Sequence, residues 1–130
     1  YYKFLFEKYE NILIVTDNVD APIIKKLKII KDLDIQSTTM QNDFNTLMSA
    51  TNLATSGVGT FSISAAMMSE NLKNFYYSNY YLDRHLNPEM FGSKINKTEL
   101  ELINYLGFGQ WNKESKNLEK YLFSDIQIKS

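Results

Sequence analysis

The stretch NDFNTLMSATNLATSGVGTFSISAAMMSENLKNFYY, residues 42–77, decides the fold. Its pattern predicts a helix, a short buried strand, a turn rich in glycine, serine and threonine, a second helix and a second strand. Strands joined by a helix are expected to lie parallel in one sheet. The turn at residues 56–60 therefore follows the carboxyl end of a strand and opens a helix, which is where α/β sheets bind ligands.

The residues upstream continue the same alternation of strands and helices. An unbroken apolar run at residues 12–15 is typical of a parallel strand buried on both faces, and the polar residues 16–18 after it suit a turn and a helix cap. Apolar spacing predicts a helix over residues 21–31, and residues 34–40 favour a short strand. The sequence therefore predicts an α/β protein, with a Rossmann-like, mostly parallel sheet flanked by helices.

The alternation ends after residue 77. Thr98 is expected to cap a helix over residues 99–105, glycines 107 and 109 to end it, and residues 113–123 to form a last amphipathic helix. We therefore expect one domain over residues 1–130, with its core at 12–77 and a helical C-terminal extension at 78–130. The start lacks an initiator Met and a signal peptide, which predicts that the chain is a fragment of a longer protein.

Composition excludes several classes of function. The 130 residues include no cysteine and one histidine, His85, so disulfides, thiolate catalysis and Cys- or His-rich metal sites are excluded. With a formal net charge of -1, the chain lacks the excess of positive charge that is typical of proteins that bind nucleic acid. No apolar run approaches the roughly 18 to 20 residues of a membrane span. We expect neither a metal nor a cofactor.

The turn before the second helix is the candidate phosphate site. Ser56, Gly57 and Gly59 allow backbone N–H groups to converge, and Thr60 and Ser62 add hydroxyls at a helix N-terminus, whose partial positive charge favours phosphate. The alternative, a tight strand-to-helix connection with an ordinary cap, fits the same residues. The sequence around the turn is neither a Walker A loop, which needs Gly-Lys-Ser/Thr, nor a complete dinucleotide fingerprint.

Asp43 is a second candidate at the same edge of the sheet. With Asn42 it opens the helix before the strand, and its carboxylate can accept hydrogen bonds from a ribose or from guanine N–H groups. Without a family resemblance, simple capping of its own helix is the favoured interpretation of Asp43.

An ordered set of motifs adds a family resemblance. In chain order they are Thr16-Asp17, Asp43-Phe44, Leu47-Met48-Ser49-Ala50, Ser56 and Thr60-Phe61-Ser62. This set, within residues 12–77, resembles the nucleotide-sugar-binding, C-terminal half of fucosyltransferase-like GT-B glycosyltransferases. The resemblance implies transfer of a sugar such as fucose from a nucleotide-sugar donor, GDP-linked, to a hydroxyl of a glycan acceptor with inversion, in polysaccharide or glycan biosynthesis.

The resemblance also assigns residues. It places Asp43 at the nucleoside, Asp17 in an acidic turn after the first strand, and Ser56, Thr60, Phe61 and Ser62 at the diphosphate. Gly57 and Gly59 are donor-binding candidates from the turn itself, since Gly57-Val58-Gly59 replaces the Asn or Cys residues more usual in the family. Apart from this assignment, core packing is the expected role of the Phe61 ring. Members of this family carry a His/Arg-rich loop that stabilises the leaving diphosphate, and this sequence contains no such loop. That loop, the acceptor site and the catalytic base would belong to an upstream domain. No catalytic residue is therefore assigned, and the chain alone is expected to be inactive.

Two other interpretations stay open. A non-catalytic Rossmann-like binding or interaction module would keep the sheet without the chemistry. A nucleotide-sugar epimerase fits less well, because no tyrosine is followed four residues later by lysine. The sequence leaves the compartment and the oligomeric state open. For a glycosyltransferase, the compartment would be the cytoplasm or a Golgi-type lumen.

Overall fold

The computed structural model describes residues 1–55, 60–78, 91–102 and 126–128. Helices and strands alternate along these ranges, which confirms the predicted α/β class. The elements are α1 (Tyr2–Lys8), β1 (Leu13–Val15), α2 (Pro22–Ile30), β2 (Asp34–Gln36), α3 (Met40–Ser49), β3 (Asn52–Ala54), α4 (Thr60–Met68), β4 (Asn74–Ser78), β5 (Asn96–Leu102) and β6 (Ile126–Ile128).

The described strands form two sheets. β1 pairs with β2, and the second sheet has the order β3-β4-β5-β6. The pairs β1–β2, β3–β4 and β4–β5 are parallel, as helix-length connections predict. Contacts divide the chain into two compact units, which we call unit 1 (residues 1–39 and 102–126) and unit 2 (residues 40–101 and 127–130).

Unit 1 packs its helices around a small set of buried residues. Leu5 of α1 and Ile24 and Leu27 of α2 are buried. The ammonium of Lys31, just after α2, donates to the backbone oxygens of Phe6 at 2.9 Å and Tyr9 at 2.6 Å. These carbonyl groups lie at the C-terminal end of α1, where helices leave acceptors without an internal partner. Lys31 therefore ties α2 to the end of α1.

β1 is less buried than its sequence suggests. The apolar run predicted burial on both faces, but Leu13 is 47% exposed and the next two residues are only half-buried. Among the described strands, β1 pairs only with β2, so its sheet is narrower there than the sheet that contains β4.

Unit 2 has a well-packed core centred on β4. Phe75 is fully buried, stacks on Tyr77 with ring centroids 5.9 Å apart, and contacts Phe91 edge-on at 4.9 Å. The core cluster consists of Leu53, Ile63, Ala66, Leu72, Phe75, Tyr77 and Phe91. The cluster joins β3, α4 and β4, so the predicted strand–helix–strand unit is the packed centre of unit 2.

The predicted helix over residues 99–105 is wrong in its described part. Residues 96–102 form β5, in which Thr98 lies opposite Tyr76 and Leu100 opposite Ser78. Thr98 and Glu101 imitate a capping box, but the alternation of glutamate and leucine after Thr98 has the period of a strand. Pairing with β4, which buries Leu100 completely, decides the outcome. The helix predicted over residues 113–123 and glycines 107 and 109 lie outside the described residues.

None of the helices in the described ranges is long and apolar enough to cross a membrane.

Candidate functional site

The β3–α4–β4 unit positions the candidate site. β3 and β4 are parallel neighbours, and α4 begins at Thr60, six residues after the last residue of β3. The N–H of Thr55 donates to the Tyr76 oxygen at 3.0 Å, which extends the ladder beyond the end of β3. Ser56, Gly57 and Gly59, the centre of the predicted phosphate turn, lie outside the described residues, as does His85.

A hydroxyl pair joins the two ends of this turn. The Ser62 hydroxyl donates to the Thr55 Oγ1 at 2.9 Å, and Thr55 is only 4% exposed. The bond fixes the first turn of α4 at the carboxyl end of β3. Sequence reasoning selected Ser62 but missed Thr55, although a hydroxyl at a strand end, seven residues before a serine on the next helix, was the available signal.

Thr60 and Phe61 lie at the surface. Thr60 is exposed at the start of α4, and Phe61 is 41% exposed. The Phe61 ring packs edge-on against Phe44 of α3, with centroids 5.3 Å apart. The expectation that Phe61 packs in the core is therefore wrong: Phe61 lies in the first turn of α4, before the buried residues Ile63, Ala65 and Ala66, and its ring packs on Phe44 at the surface.

Asp43 is a buried carboxylate on the helix that faces α4. It is 7% exposed and has a polar or electrostatic partner within the protein. α3 begins at Met40, so Asp43 lies inside the first turn rather than at the predicted cap position. A carboxylate in the first turn is favoured by the partial positive charge of the helix N-terminus. Asp43 thus has a structural role whether or not a ligand contacts it.

Asp17 belongs to unit 1, whereas the other described residues of the predicted site belong to unit 2. Asp17 is exposed in a turn that is held by its neighbours: the N–H of Asn18 donates to Thr16 Oγ1, and the N–H of Asp20 donates to Asn18 Oδ1. The helix after it has Ala21 at the N-cap position without a side-chain cap bond. The polar residues after β1 therefore form the predicted turn but do not cap α2.

Acidic side chains do not converge on a metal position within the described ranges: no group of three or more His, Cys, Asp or Glu residues is found there. One Asp-x-Asp spacing, Asp32-Leu33-Asp34, was missed by sequence reasoning. Both aspartates are exposed, and Asp34 is the first residue of β2, at the amino end of the strand.

The chain matches no protein-family model, no curated protein and no solved structure. The functional interpretation therefore depends on the residues of the β3–α4–β4 unit and on α3 beside it. Among the predicted residues, the structure joins Ser62 to the strand end through Thr55 and Phe61 to α3 through Phe44.

Proposed function

We propose that unit 2 binds a nucleoside diphosphate sugar at the start of α4, as the donor-binding domain of a GT-B glycosyltransferase. The observation that carries the proposal is the 2.9 Å bond between Ser62 and Thr55, which holds a helix N-terminus at the carboxyl end of a parallel strand. Ligands of open α/β sheets bind at such strand ends, and phosphates bind at such helix ends.

The chemistry of this edge suits a diphosphate. The first N–H groups of a nine-residue helix have no acceptor within the helix and carry its partial positive charge. The exposed Thr60 hydroxyl adds a donor beside them. In an inverting transfer, an acceptor oxygen attacks the anomeric carbon while the bond to the nucleoside diphosphate breaks. Donors aimed at the departing phosphate stabilise the charge that develops there.

The proposal gives the remaining residues defined parts. Asp43 would contact the nucleoside, with GDP as the leaving nucleotide, and the acceptor and the catalytic base would belong to a second domain. Because Asp43 is 7% exposed and already partnered, its replacement should disturb both binding and folding. Thr60 is exposed, so its replacement separates the two effects.

A non-catalytic α/β module is the second candidate. It is favoured by the same hydroxyl pair, since Ser62 donates its proton to Thr55 and is satisfied without a ligand. Under this alternative, Thr55 and Ser62 only fasten α4 to the sheet.

A thermal-shift panel with GDP, UDP, CDP and NAD tests the proposal. We expect GDP to raise the melting temperature of the chain, and Thr60→Val, which keeps the branched shape but removes the hydroxyl, to reduce that shift. Thr51→Val is the matched control. Thr51 is also an exposed threonine, but it lies just before the amino end of β3, at the opposite end of the strand from α4. No shift with any nucleotide, or equal shifts in both variants, would favour the non-catalytic module.

A further inference from the structure

Three asparagines stand side by side across the second sheet. Asn52 begins β3, Asn74 begins β4 and Asn96 begins β5, and each lies opposite the next in the strand register. Successive members are 22 residues apart in the chain. Asparagine is depleted in strands, so its presence at the same position of three neighbouring strands requires an explanation other than strand propensity.

The side chains of these residues form a continuous chain of hydrogen bonds. Asn96 Nδ2 donates to Asn74 Oδ1 at 3.2 Å, and Asn74 Nδ2 donates to Asn52 Oδ1 at 2.7 Å. Both bonds run in the same direction, so Asn74 acts as donor and acceptor at once. Bonds that share a polarised group in this way strengthen one another.

We infer that this asparagine ladder, Asn52–Asn74–Asn96, locks the register of β3, β4 and β5. A slip of β4 by one residue against β3 would place Asn74 opposite Leu53 or Phe75 opposite Asn52, and would break the 2.7 Å bond. The slip would also turn the buried ring of Phe75 to the other face. The ladder opposes the slip at the edge where the strands begin.

The lock has a consequence at the opposite ends of the strands. β3 is only three residues long, so the pairing of its first residue also fixes the position of Thr55 along β4. The N–H of Thr55 donates to the Tyr76 oxygen. The ladder is thus a positioning device for the carboxyl edge of the sheet. This role does not depend on what that edge binds.

Hydrogen exchange on the full chain tests this inference with the substitution Asn74→Val. For this variant, strand propensity and loss of the ladder predict opposite changes in amide protection. Valine favours strands, so Asn74→Val should raise or preserve amide protection in β3 and β4 if the ladder does nothing. The lock instead predicts a loss of about tenfold, with about threefold for Asn52→Val or Asn96→Val, since each removes one exposed hydrogen bond of modest net strength. Asn71→Ala, at an exposed asparagine outside the ladder, should change nothing.

A combined variant tests whether the three residues act as one unit. Once Asn74 is replaced, both bonds are gone, so adding Asn52→Val and Asn96→Val should cause no further loss of protection. Unchanged or higher protection in Asn74→Val, or a triple variant that loses the sum of all three single effects, would overturn the inference.

Discussion

β1 and β4 are both short parallel strands, yet they differ sharply in burial. β1, with the sequence Leu-Ile-Val, leaves Leu13 47% exposed, whereas β4, which contains two tyrosines and a serine, buries Phe75 completely and leaves Tyr76 and Tyr77 only 4% exposed. Within the described residues, β4 pairs with a strand on each side, whereas β1 pairs with β2 alone. The apolar character of a strand therefore does not by itself determine its burial.

The largest expected effect tests this difference directly. Phe75→Ala should cost about 3–5 kcal/mol in the free energy of unfolding of unit 2, because it empties a site in contact with Tyr77 and Phe91. Leu13→Ala should cost less than about 1.5 kcal/mol, because about half of that side chain is already in water. Hydrogen exchange in each unit during urea unfolding measures both. Similar losses would show that β1 is as well packed as β4.

A smaller effect is expected from the hydrogen bonds by which Lys31 holds α2 to the end of α1 in unit 1. Lys31→Met should destabilise unit 1 by about 1–2 kcal/mol, because two carbonyl groups at the end of α1 lose a charged donor. Lys28→Met, at an exposed lysine in the last turn of α2, is the control and should cost at most about 0.5 kcal/mol. Urea denaturation followed by exchange at α1 measures the difference. Equal values would mean that the Lys31 contacts contribute nothing.

The smallest effect concerns the hydroxyl pair of unit 2. Ser62→Ala should cost about 1 kcal/mol through the lost bond to Thr55, although alanine is the better helix former. Ser64→Ala is the control on the same helix. It gives the same gain in helix propensity without the loss of the Thr55 bond, so it should be neutral or slightly stabilising. Melting temperatures of the two variants provide the test. If Ser62→Ala is as stable as Ser64→Ala, the bond does not hold α4 to the strand.

Local pattern predicted the described elements of residues 1–78 well. The strand expected at residues 52–55 is observed at 52–54, and the helix expected after Thr60 begins there, although it ends at Met68 and does not reach Leu72. The reason is physical, because glycine, proline and polar turn residues separate segments whose apolar spacing is clearly helical or strand-like.

The prediction failed where a local signal competed with pairing. Thr98 and Glu101 have the spacing of a helix cap, but residues 96–102 pair with β4 and bury Leu100. The partner strand lies 22 residues away in the chain, as the Asn74–Asn96 bond shows, so no local window contains the deciding contact.

For the candidate site, the sequence predicted which residues lie near the start of α4 but not which contacts they make. The position of Ser62 at a helix start is confirmed, but its bond to Thr55 and the burial of Asp43 depend on how α4 meets β3 and α3. Phe61 was expected in the core because aromatic residues usually lie there, but the core of α4 begins only at Ile63, and Phe61 in the first turn packs on Phe44 of α3. The nucleotide-sugar assignment is still a prediction.

Calorimetric titration of the chain with GDP and, separately, with guanosine tests the central claim most directly. If the start of α4 holds a diphosphate, GDP binds and guanosine binds much more weakly, and Thr60→Val weakens GDP binding while Thr51→Val does not. Absence of heat with GDP, or equal affinity for GDP and guanosine, would contradict a phosphate site at the start of α4.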